Sequence, residues 1–239
     1  MTEYEQKISS LMFPDSLVYQ VVHKKLLAIG EIHGAYENTL IYKQLIEKLQ
    51  IQELALEWPA QLAKIFNKFF QTSAMDLSAL GRHIGDGRIN TDYLLLFRKL
   101  FKQGKVRKFI YFDDASDYAG LPSWNIRDKS YAKQFLRQYN PDVRTLIVAG
   151  NLHTGVEPFT AAFEKGDLLP MLYHVQRKTG MFAVCTIKYY QGSFYNFGVQ
   201  NLGQSERRPR EPRIDKLSRY TYSIHLPRVR PVDMEIASL

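Results

Sequence analysis

Cysteine is almost missing from this chain. A single Cys185 in 239 residues has no partner for an internal disulfide, which excludes a disulfide-stapled scaffold and fits a reducing compartment. It lies in the apolar run Phe182-Ala-Val-Cys-Thr-Ile187, where a buried structural thiol is expected rather than a nucleophile. No apolar run approaches the roughly 20 residues needed to cross a bilayer, so no membrane partner is expected. The opening Met1-Thr-Glu-Tyr-Glu-Gln lacks the basic-then-apolar layout of an export signal, and a cytoplasmic location is expected. There is no internal repeat. Acidic residues are the minority charge, and the net charge of +8 raises the question of nucleic acid. The basic residues are dispersed, however. Their modest concentrations, Arg98 to Lys108 and Arg207 to Arg219, read as a solvated helix face and a Pro-rich stretch that also holds Glu211 and Asp215. No nucleic-acid-binding motif accompanies them, so nucleic acid is not expected.

What the chain does have is apolar strands that stop at ionisable residues. Leu26 to Ile29 reads as a buried parallel strand ending in Gly30-Glu31-Ile32-His33-Gly34. Residues two apart on an extended chain face one side, so Glu31 and His33 project together. The two flanking glycines permit a sharp turn and the close approach of a ligand. Tyr36 to Leu49 carries a helical apolar stripe, and Glu53 to Pro59 is a second strand, completing a βαβ unit. Further elements are expected as follows: helices at Ala60 to Phe70 and Leu94 to Lys102; a strand at Val106 to Phe112 ending in Asp113-Asp114; a helix at Asn125 to Tyr139; and a strand at Arg144 to Ala149 followed by Gly150-Asn-Leu-His153. Helices near Pro158 to Lys165 and Leu169 to Gln176 come next, then a hairpin of Met181 to Tyr190 with Ser193 to Val199. Leu17 to Val22 reads as an edge strand. Tyr189, Tyr190 and Tyr195 read as cross-strand pairs of the hairpin. The fold class is α/β, with a mostly parallel central sheet flanked by helices, a C-terminal β-hairpin and a polar Pro-rich arm. The division is an α/β domain over 1–202 and a basic arm over 203–239, with a short strand at Tyr220 to Leu226.

Ligands of open α/β sheets bind beyond the carboxyl ends of the strands. Glu31 and His33, Glu57, Asp113 with Asp114, and His153 all fall there. Two acids and two imidazoles can serve as general acid and base. The same set, Glu31, His33, Glu57 and His153, can hold a divalent metal through N and O ligands. Gathering carboxylates requires a cation nearby, and Arg127 or a metal could supply it.

Four segments in order, Gly30-Glu-Ile-His-Gly34, Ala55-Leu-Glu-Trp58, Ile126-Arg-Asp-Lys-Ser-Tyr-Ala132 and Gly150-Asn-Leu-His153, resemble the erythromycin esterase/ChaN-like superfamily, related to the TraB/Tiki proteins. The resemblance covers roughly residues 25 to 155. Its members include macrolide-lactone hydrolases, haem-binding lipoproteins and metal-dependent proteases. It implies that Glu31, His33, Glu57, Arg127 and His153 are catalytic, with His33 as the base that activates water and Arg127 as the pocket cation. Asp128 would orient its helix, and His83, Arg88, Asp113 and Asp128 would border a small-molecule or peptide substrate. Residues 73–90, with His83, Asp86 and Arg88, are the expected lid. The implied function is hydrolysis of an ester- or amide-type bond, metal-assisted or not. The alternative is a protein that binds haem or another ligand without turnover. The oligomeric state is left open.

Overall fold

The computed structural model describes residues 1–74, 80, 85–114, 123–205 and 208–235. Two short helices, α1 (Glu3–Ser9) and α2 (Asp15–Lys24), lead into strand β1 (Leu26–Glu31). Then come α3 (Glu37–Lys48), β2 (Glu53–Pro59), a 3-10 turn (Ala60–Leu62) and α4 (Ala63–Thr72). They are followed by α5 (Thr91–Lys102), β3 (Lys108–Asp113), α6 (Trp124–Gln138) and β4 (Thr145–Gly150). A small hairpin of β5 (Phe159–Thr160) and β6 (Asp167–Leu168) precedes α7 (Met171–Thr179) and β7 (Ala183–Tyr189). A second hairpin, β8 (Gly192–Tyr195) and β9 (Val199–Leu202), is followed by β10 (Arg213–Lys216) and β11 (Thr221–Leu226).

Seven strands form the central sheet in the order β10-β11-β7-β1-β4-β2-β3. All neighbours are parallel except the edge pair β10–β11. The fold class is therefore α/β, as the strand-helix alternation implies. Each central strand divides its side chains between two cores by simple alternation. Leu27, Ile29, Leu54, Leu56, Leu146 and Val148 pack against α1 to α5. Leu26, Ala28, Ala55, Ile147 and Ala149 pack against α6 and α7 on the other face. Burial on both faces explains why these strands read as continuous apolar runs. Cys185, on β7, is fully buried, and burial pushes its thiol up to about 12.

Three element expectations are corrected. Leu17 to Val22 is helical, inside α2. Its valines favour a strand locally, but Leu17 and Val21, four apart, bury together while Val22 stays exposed. The stretch 158–165 holds β5 rather than a helix, because Thr160 and Asp167 pair across a turn. The expected hairpin of 181–199 is two separate structures. β7 lies in the main sheet between β1 and β11, and the true hairpin pairs β8 with β9. Tyr189 and Tyr190 are consequently not hairpin cross-strand partners: the first hydroxyl bonds Asn38, and the second ring stacks on His225. Residues 213–226 of the expected arm supply β10 and β11, the last two strands at one side of the sheet, so the tail adds to it. Among the described residues no helix is long and apolar enough to cross a membrane.

Candidate active site

The turn after β1 is held from two sides. Gly34 adopts φ +72°, the left-handed region, and a Cβ there would lie 1.9 Å from the Tyr195 carbonyl oxygen. Its own carbonyl accepts from Tyr195 N and Val232 N, each at 3.0 Å. Tyr36 N donates to Arg230 O at 2.9 Å, and the Arg230 guanidinium donates to Glu37 and Glu5 at 2.8 Å. What comes close to Gly34 is therefore the chain's own backbone, where the sequence led us to expect a ligand. Gly30 stays in the strand.

Glu31, at the end of β1, is buried, and donors converge on it. His33 Nδ1 lies 2.8 Å from Oε1. Asn38 Nδ2 and Tyr93 Oη donate to Oε2 at 2.8 Å, and Tyr42 Oη donates to the same atom. Asn38 in turn accepts from Tyr189 Oη. Burial pushes the Glu31 carboxyl up, and the His33 contact opposes it. For His33, burial favours the neutral ring. The hydrogen bond to Glu31 and the charges of Glu57 and Glu31 outweigh that and raise it to about 8.

Glu57, on β2, sits at the centre. Its Oε1 is 3.2 Å from Arg88 Nη1, 3.3 Å from Arg127 Nη2 and 3.4 Å from His153 Nε2. Its Oε2 accepts from Gly150 N at 2.8 Å and is 3.7 Å from His33 Nε2. Burial alone would raise this carboxyl. The basic groups around it, His153 and His33 first and then the two guanidiniums, hold it well below the usual carboxylate range.

His153 packs between charged and aromatic neighbours. Its Nε2 is 2.7 Å from Arg127 Nη2, which can only donate, so this nitrogen must accept. The proton then sits on Nδ1 and is donated to Asp128 Oδ1 at 2.7 Å. Even with a neutral His153, two guanidiniums and His33 remain to hold Glu57 ionised. Asp128 Oδ1 also accepts from Met171 N at 2.7 Å, tying α6 to the start of α7. The Trp124 ring stacks on His153 at 5.8 Å and lies 4.5 Å under the Arg127 guanidinium, which also bonds Tyr131 Oη at 3.1 Å. Arg88 joins β3 to the cluster through Asp113 Oδ2 at 2.9 Å, and its Nε is 2.8 Å from Asp86.

The structure thus gathers Glu31, His33, Glu57, Arg88, Asp113, Arg127, Asp128 and His153 at one sheet edge. His83 lies outside the described residues. Asp114 stands apart, accepting from Ser130 and Gln134. Within the cluster, His33 keeps 19 % of its side chain exposed and Arg127 15 %, against 3 % for Glu57 and for His153. His33 and Arg127 therefore face outward, while Glu57 and His153 lie beneath them. The residues missed in the sequence are Asn38, Tyr42 and Tyr93, which hold Glu31. Asn38 and Tyr42 were findable in principle, being four apart beside the apolar stripe of α3.

Among the described residues no three His, Cys, Asp or Glu come together as ligands. The lone pairs that a metal would need, on Glu57 Oε1 and His153 Nε2, face guanidinium nitrogens instead. The cavity that His33, Glu57, Arg88 and Tyr93 border measures ≈ 10 Å³, about the room of one water.

No protein-family model and no curated protein matches this sequence. Solved structures do match in fold. A mutant of the erythromycin esterase EreC in its open conformation superposes with TM-score 0.63 at 11% identity, over 94% of this chain and 95% of that one. A succinoglycan biosynthesis protein gives 0.58 at 9% identity over 97% of both chains. A Bacillus cereus protein gives 0.55 at 10% identity, over 88% of this chain and 90% of that one. The resemblance read from the four segments therefore holds at the level of the fold.

Proposed function

We propose that this protein is a hydrolase of ester- or amide-type bonds that uses a water activated by His33. The observation that carries the proposal is the pairing of His33 Nδ1 with buried Glu31 at 2.8 Å, on a side chain that keeps 19 % of its surface exposed. The other ring nitrogen, Nε2, has Glu57 Oε2 at 3.7 Å, beyond hydrogen-bond range. Glu31 fixes the ring and favours its protonated state, which is what a general base needs once it has taken a proton. His33 Nε2 removes a proton from water as the water oxygen bonds the carbonyl carbon. The carbonyl oxygen gains the negative charge beside Arg127, whose guanidinium is already oriented by Trp124, Tyr131 and Glu57. His33 then returns its proton to the leaving oxygen or nitrogen as that bond breaks. Glu57 keeps the two guanidiniums and both imidazoles in place.

The fold shared with an erythromycin esterase supports a hydrolase reading without naming the substrate. The test is turnover of a panel of nitrophenyl esters, lactones and peptide amides by the wild type, His33→Ala and Glu57→Gln. Loss of a general base should lower kcat/KM by about 10²–10⁴-fold. A wild type inert on the whole panel, or a His33→Ala protein of full activity, would refute the assignment.

A further inference from the structure

Helix α6 has two working faces. Arg127, Asp128 and Tyr131 lie on the side of the acid–imidazole cluster. By the 3.6-residue period, Ile126, Lys129 and Lys133 lie on the opposite side. There, between α6 and α7, is a groove of ≈ 490 Å³. Its floor is apolar, built from Ile126, Ala132 and Leu136, and Ile126 remains 47% exposed. Its rim carries Lys129 and Lys133 from α6, with Arg177 and Lys178 from α7. All four cations are exposed, and none makes an ion pair among the described residues. His174 also lines the groove, and its buried Nε2 has no hydrogen-bond partner.

An apolar trough ringed by cations is complementary to an apolar body with an anionic end. The volume falls in the range of small-molecule sites, about 300–1,000 Å³. A protein partner needs a far larger patch, about 800 Å² on each side, whereas α7 extends only about 14 Å along its axis. We propose that this groove binds one anionic amphiphile, a single alkyl chain ending in a carboxylate. The chain lies along Ile126, Ala132 and Leu136. The head reaches the cations on the rim.

The test is calorimetric titration of the full chain with dodecanoate below its micellar range, beside dodecanol, acetate and phosphatidylglycerol vesicles. Saturable one-to-one binding of dodecanoate is expected, with dodecanol and acetate each at least tenfold weaker. The double variant Lys133→Glu/Arg177→Glu changes only exposed side chains and should bind dodecanoate at least tenfold more weakly at an unchanged melting temperature. His33→Ala should bind as the wild type does. Non-saturable uptake, equal binding by the double variant, or association with vesicles alone would overturn the proposal. So would loss of binding in His33→Ala, which would place the amphiphile in the candidate active site instead.

Discussion

Replacing Glu31 by Gln tests the core of the mechanism most directly. The amide keeps the shape of the carboxyl and can still accept from His33 Nδ1, but it removes the charge that lies 2.8 Å away. In the wild type His33 is lifted to about 8 from the ordinary 6.5, which at 1.36 kcal/mol per pH unit is about 2 kcal/mol in favour of the imidazolium. Without the charge of Glu31, burial draws the ring downward, opposed by the charges of Glu57 and Asp86 and by a weaker, neutral hydrogen bond. The His33 midpoint should fall by more than one pH unit. With six histidines in the chain, NMR titration of the imidazole Cε1–H resonances can follow it, assigned by comparison with His33→Ala. Stability should follow the same sign. A group raised in the folded state contributes fully below about pH 6.5, and its contribution fades as pH rises through about 8. Glu31→Gln should therefore cost more stability at pH 6 than at pH 9 in urea denaturation. A wild-type midpoint at or below 6.5, or one that does not move in Glu31→Gln, would refute the reasoning.

Three further outcomes are expected. Asp128→Ala leaves His153 Nδ1–H and Met171 N–H without their acceptor, at about 1–3 kcal/mol each, and should lower the melting temperature markedly. Gly34→Ala forces a side chain into the Tyr195 carbonyl at a left-handed position and should cost about 3 kcal/mol or yield insoluble protein, judged by denaturation and soluble expression. Any hydrolysis found in the ester panel should survive EDTA, because guanidiniums face the lone pairs a metal would need. Its loss on chelation and return with a divalent ion would show otherwise.

The central sheet was legible because parallel strands buried on both faces write themselves as short apolar runs between helical stripes. Glu53–Pro59 was placed to the residue, and β1, β3 and β4 to within two. The charged ends of those strands pointed to one site for the same reason: their carboxyl ends lie along one edge. Elements decided by distant partners were illegible. Leu17 to Val22 has the composition of a strand, and only its packing on the sheet makes it a helix. β7 pairs with β1, some 150 residues earlier, and no local turn announces that. The support of Glu31 was only partly legible: Asn38 and Tyr42 share a face of α3, while Tyr93 comes from α5, and no local signal links that helix to β1.

The residues after 228 reach back to the turn that follows β1, and this gives synthesis an order. A nascent polypeptide that has emerged only through residue 228 already contains every acid and imidazole of the cluster. It still lacks the Arg230 clasp on Glu5 and Glu37 and the Val232 bond to Gly34. The turn that carries the imidazole at position 33 therefore stays unclasped until residues 230 and 232 have been made.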